Sequence, residues 1–150
     1  MKERAHARSL YITGDCSPAR KLSGENSSMG SSGRGAAATV TAFLQDGPGA
    51  FREVAEGEWG LLLDDVGGRP LEIGIRLSGG LLRAQAWVAR AGTLDPHALL
   101  HRNRLGTLAR YAHSAAGEVH VHAEIPERAV SAAELDRLLV ALVEAVAAVR

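Results

Sequence analysis

A single cysteine, Cys16, stands in 150 residues, so no internal disulfide is possible and the core must hold by packing alone. Aromatic residues make up only 4% of the chain, which leaves Leu, Val and Ala to fill that core. Net charge is absent too: seventeen basic residues balance seventeen acidic ones. That balance removes the general electrostatic case for a binder of nucleic acid or of membrane surfaces. No apolar run approaches the about 20 residues needed to cross a bilayer, and the N-terminus lacks the apolar segment of a secretory signal. These absences point to a cytoplasmic protein with neither membrane nor nucleic acid among its partners.

What is present is enough for a globular domain. Hydrophobic residues make up 46% of the chain, and this length buries a core without metals or disulfides. The charge is unevenly placed. Residues 1–35 hold six basic residues against three acidic ones, whereas the remainder has eleven Arg, no Lys and fourteen acids. Within the first segment, residues 23–35 (SGENSSMGSSGRG) have the composition of a flexible linker. Residues 9–13 could form a short strand with nothing nearby to support it. The expectation is a disordered basic tail over residues 1–35, with Met29 a possible true start; a basic arm that touches a partner is the alternative.

From Ala36 the pattern becomes regular. Residues 36–46 place Val40, Phe43 and Leu44 on one helical face, and Gly47, Pro48 and Gly49 stop the helix. Residues 51–55 read equally well as a short strand or a helical turn. Three strands follow. The first runs from Trp59 to Asp64 and ends at Gly67-Gly68. The second alternates Leu71, Ile73, Ile75 and Leu77 with polar residues or glycine and ends at Gly79-Gly80. The third puts Leu82, Ala84, Ala86 and Val88 on one face. Asp95 and Pro96 then open a helix, as N-cap and first helical residue, and Gly106 closes it. Residues 108–113 and 118–125 form a hairpin across residues 114–117, and Pro126 ends its ladder. Ser131 and Glu134 make a capping box before Leu135, Leu138, Leu139, Leu142, Val143 and Val146, which recur at helical spacing. The order α-βββ-α-ββ-α predicts an α+β domain over residues 36–150, a five-stranded antiparallel sheet with helices on one face.

Several phrases in this region carry a resemblance. They are Leu99 to Asn103 (LLHRN), Leu108 to Tyr111 (LARY), Gly117 to Val121 (GEVHV), Glu124 to Pro126 (EIP), and Val130-Ser131 with Glu134-Leu135. Trp59, after the acidic turn Glu56-Gly57-Glu58, belongs with them. On these the chain, from about Ala36 to Arg150, resembles the YbjN-like family, whose fold is that of the type III secretion chaperones. The resemblance implies a small, often dimeric protein that binds other proteins, some relatives being stress or sensory regulators. It implies no catalytic residue and no cofactor. Asn103 reads in this light as a hydrogen-bonder at a helix terminus.

Candidate sites follow from the pattern. Glu118, His120, His122 and Glu124 share the outward side of their strand, with the two imidazoles about 7 Å apart from the strand rise. A register pairing Tyr111 with His120 would set His113 opposite Glu118 and could complete a metal site or a pH-sensitive cluster. A solvated strand face rich in histidine is the plainer reading. Cys16 has no neighbour to lower its pKa, the acidic pair Asp64-Asp65 suits a turn, and the Gly-Gly turns lack the strand-to-helix context of a phosphate loop. Arg76, Arg83 and Arg90 lie near Trp87 but within a net acidic domain. Trp87 itself falls in register with Arg83 and Gln85, opposite the apolar row. Either it anchors an interface, as Trp and Arg commonly do, or a register irregularity buries it. The last helix is also apolar beyond one stripe, at Val140, Ala141, Ala145, Ala147 and Val149. The function expected is therefore a non-enzymatic protein-binding module of chaperone or adaptor type. It would be a homodimer that binds a partner polypeptide at Trp87, Arg83 and Gln85. A metal- or pH-responsive sensor using His113, His120 and His122 is the alternative.

Overall fold

The computed structural model describes residues 32–150; Cys16 and residues 9–13 lie outside them. The elements run α1 (Ser32–Gln45), β1 (Ala50–Ala55), β2 (Glu58–Val66), β3 (Arg69–Ser78), β4 (Leu81–Ala89), α2 (Pro96–Leu105), β5 (Arg110–His113), β6 (Val119–Pro126), a short 3-10 turn (Glu127–Ala129) and α3 (Ala132–Ala147). One antiparallel sheet holds the strands in the order β1-β2-β3-β4-β6-β5. It has six strands, not the five expected. The sixth is β1, over the residues the sequence left ambiguous. As an edge strand it half-buries only Phe51, so no apolar alternation marked it.

The alternating rows land as their period requires. Leu71, Ile73 and Ile75 of β3, Leu82, Ala84, Ala86 and Val88 of β4, and Val119, Val121, Ala123 and Ile125 of β6 are all buried on one side of the sheet. Across that side lie α1 and α3, contributing Val40, Leu44, Leu135, Leu138, Leu142 and Val146 to the same core. Ser131 caps α3 as the capping box predicts, its hydroxyl accepting from the Glu134 amide at 3.3 Å. Trp59, 2% exposed, ties α1 to β2: its indole N–H donates to the Thr41 hydroxyl at 3.1 Å. With α1 and α3 on one side, the other side of the sheet is left uncovered.

The turns obey their glycines. Both Gly67-Gly68 and Gly79-Gly80 have positive φ at each residue. That is the two-residue hairpin geometry whose twist matches the strands, and it strains any residue with a Cβ. Asp65 of the acidic pair supports the first of these turns, its carboxylate accepting from the Gly68 amide at 2.8 Å. Gly49 is required for another reason. A Cβ there would lie 2.6 Å from the Leu62 carbonyl, so the chain passes β2 too closely for a side chain. The middle helix starts as predicted, Asp95 accepting from the His97 amide at 3.0 Å. It lies against the short edge strand β5 and buries none of its own residues.

Candidate partner-binding surface

The uncovered side of the sheet is built by the alternate residues of the same strands. One row crosses all six strands by direct pairing: Arg52, Gly60, Gly74, Gln85, His122 and Arg110. Beside it Glu58 pairs with Arg76 and Arg83 with Glu124, and both pairs close as ion pairs at 3.1 and 2.8 Å. The row is bare at its centre. With no side chain on Gly60, Arg52 lies over β2 and reaches Glu72 of β3 at 3.6 Å. A Cβ on Gly74 would meet nothing nearer than 3.9 Å. Gly74, a mid-strand glycine with room above it, marks a place where another chain can approach the backbone.

Trp87, Arg83 and Gln85 all project from β4 onto this side, Trp87 and Gln85 half-buried and Arg83 exposed. Pairing between β4 and β6 does shift register, but between Trp87 and Ala89, so Trp87 stays on the open face opposite His120 while Val88 is buried beneath. Near Trp87 the sheet divides. Strands β3 and β4 pair from Ser78 and Leu81 only as far as Ile73 and Ala86. Beyond that point a depression is lined by Arg69, Pro70, Leu71, Glu72, Trp87, Glu118 and Arg150. The Arg150 guanidinium closes its inner end by donating to the carbonyls of Val66, Arg69 and Pro70 at 2.6, 3.0 and 3.2 Å.

Charge on this surface is largely satisfied within it. The hydrogen bond from Arg83 holds the Glu124 carboxyl below the usual range, helped by the charges of Arg83 and His122. Partial burial pushes the His120 imidazole down, offset in part by Glu118. A 3.2 Å hydrogen bond joins the Gln85 amide nitrogen to His120 Nδ1, so with the amide as donor that ring nitrogen must accept. Arg76 and Arg83 are occupied by Glu58 and Glu124.

The histidine constellation does not assemble. Tyr111 pairs with Val121, not His120, and His113 pairs with Val119, not Glu118. This one-residue slip turns Tyr111 and His113 to the helix side, away from His120 and His122. The cause lies at both ends of the strand. Ser114 and Glu118 bond each other through their backbones at 2.9 Å, closing a longer loop than expected. The half-buried Tyr111 ring gains a place beside the core, where its hydroxyl donates to the Ala145 carbonyl of α3 at 2.6 Å. His113 turns back on its own neighbour, Nδ1 lying 3.0 Å from the Ser114 carbonyl. The direct neighbours of His120 and His122 on β5 are instead Ala112 and the cation Arg110. Among the described residues no three His, Cys, Asp or Glu side chains are grouped to hold a metal.

Other surface features went unread in the sequence. Leu100 and Leu105 of α2 are 64% and 70% exposed, and Val54 and Leu62 are exposed near the β1 edge. Adjacent leucines at 99 and 100 were a signal, since one helix cannot bury both against a single narrow strand. Asn103 does not bond its own helix end. It reaches the backbone of Tyr111 instead.

An α+β domain with three helices and one uncovered sheet face is the fold of the type III secretion chaperones. A chain in the HopA1–SchA chaperone–effector complex is similar to this one with a TM-score of 0.58 at 16% identity, covering 75% of this chain and 91% of that chain. A chain in the complex of the Yersinia pestis type III secretion chaperone SycH with a stable fragment of YscM2 is similar with a TM-score of 0.59 at 13% identity, covering 77% and 99%. Neither a protein-family model nor a curated protein sequence matches the chain. The likeness to the YbjN-like family therefore rests on the sequence phrases alone. No helix among the described residues is long and apolar enough to cross a membrane.

Proposed function

We propose that this protein is a non-enzymatic, chaperone-like binding module that holds an extended segment of another polypeptide along β1 and across the adjoining open face. The observation that carries the reading is the edge strand β1. It is six residues long and almost wholly exposed, and among the described residues no side chain hydrogen-bonds to its backbone. An unpaired edge offers ready-made hydrogen bonds to a visiting strand, and side-chain pockets then select which strand. Val54, Leu62 and Gly60, with Arg52 lying over it, are beside that edge, and the open Gly74, Trp87 and Arg83 lie further across the same face. Chains of this fold in a chaperone–effector complex and in a chaperone complex with a fragment of another protein support a protein as the ligand.

Self-association belongs to this reading. A helix that buries none of its own residues while exposing Leu100 and Leu105 gains from a second copy, and we assign the homodimer contact to α2. Cytoplasmic action, with a protein and not a small molecule as ligand, completes the proposal.

The test is a co-purification with the full chain as bait beside two variants. Val54 lies in the register shift between Glu53 and Ala55, where it has no partner on β2, so Val54→Pro should leave β1 in place while blunting its edge. Trp87→Ala removes the anchor on the face. A stoichiometric partner retained by the wild type and lost from Val54→Pro, with unchanged melting temperature, supports edge capture. A partner retained by both variants refutes it.

A further inference from the structure

The two edges of the sheet are treated differently, and the difference centres on Asn103. In β5 the amide and carbonyl of Tyr111 point away from β6. Both are taken by one side chain: Asn103 Oδ1 accepts from the Tyr111 amide at 2.7 Å, and Asn103 Nδ2 donates to the Tyr111 carbonyl at 2.9 Å. A primary amide offers a donor and an acceptor side by side, as a residue of a neighbouring strand would. Just before the strand, the Ala109 carbonyl accepts from the Arg110 guanidinium at 2.9 Å, and the Thr107 carbonyl accepts from the same group at 3.1 Å. Side chains thus bond the outer backbone at Tyr111 within β5 and at the Ala109 carbonyl just before it, whereas β1 at the far edge has no such cover among the described residues.

We infer that Asn103 is an edge lock: it stands in for a seventh strand at Tyr111, closes β5 to strand addition, and so directs any visiting strand to β1. The occupant it excludes is β5 of a second copy of this chain, whose unlocked edge could pair antiparallel with this one about a two-fold axis. The lock is fitted to that task. Asn103 is half-buried on α2, four residues after the half-buried Leu99. These two side chains hold against β5 a helix that buries nothing completely. The inference rests on the strand-capture reading for its meaning, but its test needs no partner and stands or falls separately.

The test compares Asn103→Ala with Tyr111→Phe in the full chain. The alanine removes both lock bonds. Tyr111→Phe removes the hydrogen bond to Ala145 and leaves the backbone lock intact. Hydrogen exchange at the Tyr111 amide and molar mass by light scattering over a range of concentrations are the readouts. The lock predicts that Asn103→Ala raises exchange at Tyr111 by about tenfold or more while amides of β3 and β4 hold their protection. It also predicts that this variant forms assemblies larger than the wild type, whereas Tyr111→Phe keeps the wild-type mass. Unchanged protection and unchanged mass in Asn103→Ala would overturn the inference. So would equal association of both variants, which would trace self-association to lost stability and not to an opened edge. If Asn103→Ala does not fold, the near-isosteric Asn103→Leu, which also lacks both bonds, is measured in its place.

Discussion

The two faces of this sheet are made from the same strands and obey different physics. On the covered face Trp59, Ile73, Leu82, Val121 and their neighbours are nearly inaccessible, and their contribution is area removed from water. On the open face the alternate residues meet as Arg52–Glu72, Arg76–Glu58 and Arg83–Glu124, exposed pairs that each contribute about 0–1 kcal/mol. Stability therefore resides mainly on one face. The open face holds its charges in mutual pairs and leaves backbone exposed at Gly74.

The two tryptophans sharpen this contrast most. Trp59→Ala should cost about 3–5 kcal/mol in chemical denaturation, the range for emptying a buried aromatic site. Trp87→Ala should cost about 1 kcal/mol, and the loss should fall on partner binding. Equal losses of stability would make Trp87 part of the core and collapse the distinction between the faces. Next in size, Leu138→Ala, at a residue 1% exposed, should cost about 2–5 kcal/mol, again read from the denaturation midpoint.

Arg83→Ala tests the open face directly. It should cost less than about 1 kcal/mol at neutral pH, and it should flatten the acid limb of the stability curve. The sign follows from Glu124, whose carboxyl is held below its ordinary value in the folded state by the Arg83 hydrogen bond. That contribution is present above the unfolded carboxyl pKa of about 4.3 and is lost as pH falls through the lower folded value. His120 acts with the same sign one step higher. Burial depresses its folded pKa below the ordinary 6.5, so the folded state binds fewer protons, and stability falls as pH drops from about 7 through that folded value. In His120→Gln this neutral-to-acid decline should shrink, as followed by melting temperature at closely spaced pH values. Smallest of all, Gly74→Ala should change stability by no more than about 1 kcal/mol, in the stabilising direction, because its site is open and its φ is ordinary. A large loss there would show that Gly74 is packed against something in the native assembly.

Legibility in the sequence followed burial. The apolar alternation of β3, β4 and β6, the capping box at Ser131 and the Asp95-Pro96 start were all readable, because each is a local pattern with a single physical use. Strand β1 was not, since an edge strand exposed on both sides has no apolar alternation to show. Period two put Trp87, Arg83 and Gln85 on one face, but a register irregularity that would bury Trp87 stayed open until the shift proved to fall after it, between Trp87 and Ala89. The histidine cluster was misjudged for a different reason. The register of the final hairpin depended on the bonds between Ser114 and Glu118 that close its loop and on Ala145, 34 residues from Tyr111, which accepts from its hydroxyl.

Sequence alone determined which residues alternate, where helices begin, and that chemistry-bearing clusters are few, because those properties depend on neighbours within a turn or a strand. Tertiary structure decided which way Tyr111 and His113 face, that Asn103 meets the backbone of β5, and that β1 remains an open edge. These depend on contacts between segments far apart in the chain, where one hydrogen bond or one ring beside the core settles a register that local propensity leaves degenerate.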